Sequence, residues 1–215
     1  MALSKVNYNS LNVTPSASKF LAWDSDADAL AAADIGGSLT LISTLTADNS
    51  GTNLSFTSGI DSTYKEYIFK FINIHTASGD NRLLFNMSID GGSNYNVTKT
   101  STFFETYVEE DGTDAQLTYA TARDLAQSTA DQRMTHDQGD GNDESSCGFL
   151  HLFNPSSTTF VKHWIAEYNN ASHYDYAYRT FIAGYGNTTS AVNAVTFKAH
   201  SGNLESGSIK MYGVS

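Results

Sequence analysis

From Ser38 to the C-terminus, apolar residues recur at every second position in short runs, and clusters of turn-forming residues separate the runs. In "LLFNMSID" (83–90), Leu83, Phe85, Met87 and Ile89 fall at strict spacing two. That period places one residue set on one face of an extended strand, and it cannot form the apolar stripe of a helix. The same pattern fills "SLTLISTLT" (38–46), where Leu39, Leu41 and Leu45 are expected on or near one face. In "YIFKFINIH" (67–75), Tyr67, Phe69 and Phe71 alternate with Ile68, Lys70 and Ile72; two largely apolar faces predict a central strand. Further strands are expected at 53–56, 95–110, 147–155, 158–168, 174–186, 194–200 and 208–214. "DGGSN" (90–94) predicts a hairpin turn, with glycines where positive φ is needed.

About ten strands without an internal repeat predict an all-β chain, an antiparallel β-sandwich of jelly-roll-like type, with a closed barrel as the alternative. Residues 36–215 form the expected sandwich domain, and 1–35 an N-terminal anchoring arm with little period-2 alternation. Within the arm, Asp26 is placed to cap a short helix running through Leu30 and Ala33. The stretch from Asp111 to Ser146 is polar and helix-tolerant around "TARDLAQS". A break this long inside a compact domain usually serves function or an interface.

Composition narrows the partners. The formal net charge of −11 repels phosphate and anionic lipid, so neither nucleic acid nor a membrane surface is an expected partner. Cys147 is the one cysteine, so no intramolecular disulfide forms. It is read as a small apolar filler at a strand start. The opening residues show no secretory-signal pattern, so the sequons at Asn96 and Asn187 are read as unglycosylated.

"DQGDGNDESS" (137–146) raises the question of a metal. Asp137, Asp140, Asn142 and Glu144 supply oxygen donors of the kind calcium accepts. An EF-hand loop needs Gly at its sixth position and Glu at its twelfth; counted from Asp140 these are Ser145 and His151. The stretch is therefore read as a flexible acidic loop at the sandwich edge, with calcium as the alternative. No nucleophile elbow, phosphate loop, dinucleotide fingerprint or zinc-spaced His/Cys set occurs, and no cofactor or catalytic residue is expected. "YNNASHYDYAYRTFIAGYG" (168–186) is the other candidate: Tyr168, Tyr174, Tyr176 and Tyr178 alternate with Asn, Asp and His. Such rings either contact a glycan or pack along a strand pair or subunit interface.

"GGSLTLISTLTA", "SFTSGIDSTYKEYIFKFINIHTAS", "SIDGGSNYNVTKT", "HLFNPSSTTFVKH" and "SGNLESGSIKMYGVS" together resemble small virion structural, tail-fibre-like proteins of tailed marine bacteriophages. The resemblance spans nearly the whole chain but rests on strand and turn segments. It implies a non-enzymatic structural role in the virion, assembled in the host cytoplasm. The implied partners are further copies of the chain, as a trimer or higher set, and other phage structural proteins. A carbohydrate-binding module for host surface glycans is the alternative. Capsid and tail locations both stay open.

Overall fold

A computed structural model describes residues 19–23, 30–34 and 39–215. Among them there is no helix, and every strand pairing is antiparallel. The chain divides into a unit over Met1–Ser38 and a unit over Leu39–Ser215. In the first, β1 (Lys19–Trp23) pairs with β2 (Leu30–Asp34) as a two-stranded sheet. This corrects the helix expected from Asp26 through Leu30 and Ala33: the alanines of "LAAAD" extend and pair. Most of the expected arm lies outside the described residues.

The second unit is a sandwich of two open sheets. Its strands are β3 (Leu39–Thr46), β4 (Asn53–Phe56), β5 (Glu66–Thr76), β6 (Leu83–Ser88), β7 (Lys99–Glu109), β8 (Ala115–Tyr119), β9 (Gln132–Arg133), β10 (Ser146–Phe153), β11 (Lys162–Ala171), β12 (Tyr176–Gly186), β13 (Ala194–Ala199) and β14 (Leu204–Val214). The large sheet has the order β3-β14-β5-β10-β11-β12-β7-β8, and the small one β4-β13-β6-β9. Each sheet has two edges, so the barrel alternative falls away.

Between the sheets lies an aromatic core. Phe197 of β13 meets Phe69 and Phe71 of β5 with ring centroids 5.3 and 4.8 Å apart, and Phe85 of β6 meets Trp164 of β11 at 5.5 Å. Leu83, Phe85 and Met87 all point inward and are fully buried, as their spacing predicts, but Ile89, expected with them, lies past the end of β6 and is exposed. Each such side chain contributes roughly 2–3 kcal/mol by leaving water.

Several local expectations are corrected. "DGGSN" is a turn with Gly91 and Gly92 at positive φ, but it carries the chain from the small sheet (β6) to the large one (β7), so it closes no hairpin. In β3 a register irregularity opposite Met211 and Tyr212 splits the leucines: Leu45 packs against the core while Leu39 and Leu41 face out. A bulge inserts one extra residue, so alternation changes face across it. "TARDLAQS" forms turns, and the polar break contains two strands, β8 and β9, that the sequence does not announce. Cys147 is exposed and pairs with Asn73, so it fills no core position.

Candidate functional site

The long break between β8 and β10 pairs along β6 and β7 and, with Arg82 just before β6, brings together three of the chain's four arginines. Glu105 sits on the inner face of β7 and forms an ion pair with Arg123. The same guanidinium donates to His136 Nε2 at 2.7 Å. On the other side of His136, Arg133 and Arg82 both donate to Asp137 Oδ1, at 2.8 and 3.1 Å. The His136 ring lies flat on Tyr178.

These contacts fix protonation. Because Arg123 donates to Nε2, the proton of the neutral imidazole rests on Nδ1. Burial, reinforced by the positive charges of Arg123 and Arg133, lowers the His136 pKa to about 3. Burial also raises the Glu105 pKa, with Arg123 opposing it. Burial opposes ionisation of Asp137 too, but Arg133 and Arg82 override it and hold its carboxyl below the ordinary range. Arg133, desolvated and beside Arg123, falls to about 10. The result is an internal brace of paired charges around a neutral imidazole. Glu105 Oε2 and His136 Nδ1 remain without hydrogen-bond partners.

The expected calcium quartet is not assembled. Asp137 points into the arginine pair, and Asn142 is exposed. Asp140 and Glu144 instead converge with His173, a residue the sequence reading did not select, their ligand atoms lying within 4.8 Å of one another. Glu144 is held by the Gly141 N–H at 2.6 Å and lies against the Gly139 backbone, where a Cβ has no room. Two carboxylates and an imidazole suit a borderline ion such as zinc better than calcium, which takes six to eight oxygens. Nor is the whole stretch a loose loop: Gln138 and Gly139 are buried, and Gln138 pairs through its backbone with Asn81.

The tyrosines of 168–186 do not share a surface. Tyr168 is 1 % exposed, packs on Phe71 at 4.9 Å, and leaves its hydroxyl unpaired. Tyr178 is buried between His136 and Tyr107. Tyr176 continues the same row, edge-on to Tyr107 at 5.5 Å, and Tyr174 stands exposed in the preceding turn. Even-numbered positions of β11 and β12 face inward, so Tyr168 and Tyr178 line the core while Tyr176 sits half-buried at its edge.

Two surface features remain. On the outer face of the large sheet, Phe104 (β7) and Phe181 (β12) stack at 4.8 Å, surrounded by exposed Ile165, Val108, Leu117 and Tyr119. Beside them is a shallow depression of roughly 470 Å³, floored by Ala183 and Gly184 and rimmed by Thr102, Phe153, Ile165 and Tyr185. Outside the small sheet, a polar cleft of roughly 440 Å³ opens among Asn53, Asn86, Tyr95, Asp131, Thr196 and Lys198. There Asp131 accepts from Asn86 at 2.8 Å and pairs with Lys198 at 2.6 Å. Lys99 lies buried behind Asn86, bonded to its Oδ1 at 2.6 Å, and burial lowers its pKa to about 8.

No family model matches the chain, and no curated protein matches it.

Proposed function

We propose that the chain is a non-enzymatic bacteriophage virion structural protein, a tail-fibre or virion-surface component that self-associates and anchors to other virion proteins. The observation that carries the reading is the outer face of the large sheet. A solvated antiparallel face normally alternates to polar residues. Here Ile165, Phe104, Val108, Leu117 and Tyr119 stand exposed on it together. A contiguous apolar face of this kind marks an interaction surface. The disulfide-free sandwich and the strand-and-turn resemblance support the same role. Mass spectrometry and antibody labelling of purified virions test it. The chain is expected in intact particles at fixed stoichiometry; its absence from particles while present in infected cells overturns the reading.

A second reading, recognition of host surface glycans, is favoured by the polar cleft. Its Asn, Asp and Thr groups beside the Tyr95 ring match the hydroxyls and apolar face of a sugar. Glycan-array binding that Asp131→Ala removes and Tyr176→Ala spares would support it; no binding to any host polysaccharide at millimolar concentration counts against it.

A further inference from the structure

We propose that the outer face of the large sheet is a two-fold interface with a second copy of this chain, in which Leu117 of each copy enters the depression of the other. The inference rests on the self-association in the functional reading and names its surface.

Charge selects the occupant. In the five strands from β10 to β8, the only outward-facing Asp, Glu, Lys or Arg side chains are Glu167 and Arg179, and these pair with each other. The chain as a whole carries −11. A basic partner would be drawn to the acidic surfaces elsewhere, whereas this face offers no net charge to attract it. What fits is another neutral, apolar sheet face, and the chain itself supplies one. Two copies brought together here meet without repulsion at the contact, in a molecule whose remaining surface is acidic.

Area supports the same partner. Eight strands about 4.8 Å apart, averaging about nine residues each, present roughly 1,200 Å² in projection, and the apolar five-strand strip roughly 700 Å² of it. A stable interface takes about 800 Å² from each partner, with an apolar centre and a more polar rim. The outer positions of β5 and β14, with Lys70 and Lys210, supply that rim.

Register supplies the fit. Leu117 pairs with Thr106, which pairs with Arg179; Phe104 pairs with Phe181; Thr102 pairs with Ala183. Leu117, 70 % exposed, and the depression at Ala183 therefore lie on opposite sides of the Phe104–Phe181 pair. A two-fold axis lying in the interface over that pair, across the line joining knob and hollow, carries each Leu117 onto the partner's depression. Such an isologous contact closes on itself.

The test is the mass of the full chain in solution, by light scattering and sedimentation. Wild type is expected at twice the chain mass. Leu117→Arg and Ile165→Arg, at exposed positions that leave folding intact by circular dichroism, should weaken association at least tenfold. Ile89→Arg, another exposed apolar site, on the loop after β6, should not. With Cys147→Ser as background, Leu117→Cys combined with Thr102→Cys should oxidise to an intermolecular disulfide. A monomer at tens of micromolar, an odd-numbered assembly, or a dimer indifferent to both arginine variants overturns the proposal. So does a dimer that forms no cross-link. A confirmed dimer that is absent from virions would overturn the functional reading alone.

Discussion

His136 lies flat on Tyr178, with ring centroids 3.7 Å apart and planes 11° from parallel. The stack joins the long break between strands to β12 and keeps the imidazole out of water. Arg123 on its Nε2 makes protonation at that atom cost a hydrogen bond as well as a charge repulsion.

Stability should therefore fall on mild acidification. The unfolded chain takes up a proton at His136 near pH 6.5, while the folded chain resists until about pH 3. The unfolded state binds more protons across that window, so the contribution is whole above pH 6.5 and is lost as pH falls toward 3. Its slope is at most about 1.4 kcal/mol per pH unit. Glu105, whose carboxyl is raised, works in the opposite sense below its folded pKa. Urea midpoints measured between pH 7 and pH 5 should decline in wild type. His136→Phe, which keeps the stack and cannot titrate, should flatten that decline.

Asp137 and Asp140 sit three residues apart and should behave differently. Asp137 neutralises Arg82 and Arg133, both largely covered. Asp137→Asn leaves two cations facing one another and should cost about 2–3 kcal/mol, somewhat under the figure for a fully buried pair. Asp140 is exposed, and Asp140→Asn should stay within about 0.5 kcal/mol. Chemical denaturation of the two variants decides this; equal costs would mean that the arginine clamp does not form.

Tyr168→Phe should stabilise the protein. The hydroxyl is buried without a partner, so its removal relieves a desolvation penalty of about 1 kcal/mol while the ring keeps its contact with Phe71. Tyr168→Ala should instead cost about 3–5 kcal/mol through the cavity it leaves. A rise in melting temperature for the first and a steep fall for the second are the expected pair of results.

Calcium should leave the melting temperature unchanged within about 1 °C, because a ligand stabilises only in proportion to its occupancy of the folded state. Of the four expected ligands, Asp137 is taken by arginines, and Asp140 and Glu144 converge with the His173 imidazole rather than with further oxygens. Thermal melts in chelator and in millimolar calcium check this. A shift of several degrees would show that the loop rearranges around the ion.

Alternation was enough to read most strands, since a period of two is a local property of the chain. It correctly set Leu83, Phe85 and Met87 on one face, although Ile89, the next residue of that series, is exposed past the strand's end. It failed where the face changes within a strand, as between Leu41 and Leu45, because a bulge is fixed by the partner strand and leaves no mark in local hydrophobicity. The alternating tyrosines were legible as a row, but which side of the sheet they face depends on where the second sheet lies. The brace had one sequence signal: Arg123 and Arg133 fall together in the break of an acidic chain. Its members Glu105 and Arg82 come from distant strands and could not be joined to them by spacing.

The sequence by itself determined the all-β class, the acidic balance and the absence of a disulfide, because each follows from residue type or from neighbours along the chain. Tertiary structure alone decided that Asp137 meets arginines while Asp140 meets Glu144 and His173. It also decided that Tyr168 is core, and that Leu117, Phe104 and Ile165 share one exposed face. Those relations depend on how eight strands order themselves in a sheet and which face the smaller sheet covers, so each is set by residues far away in the chain.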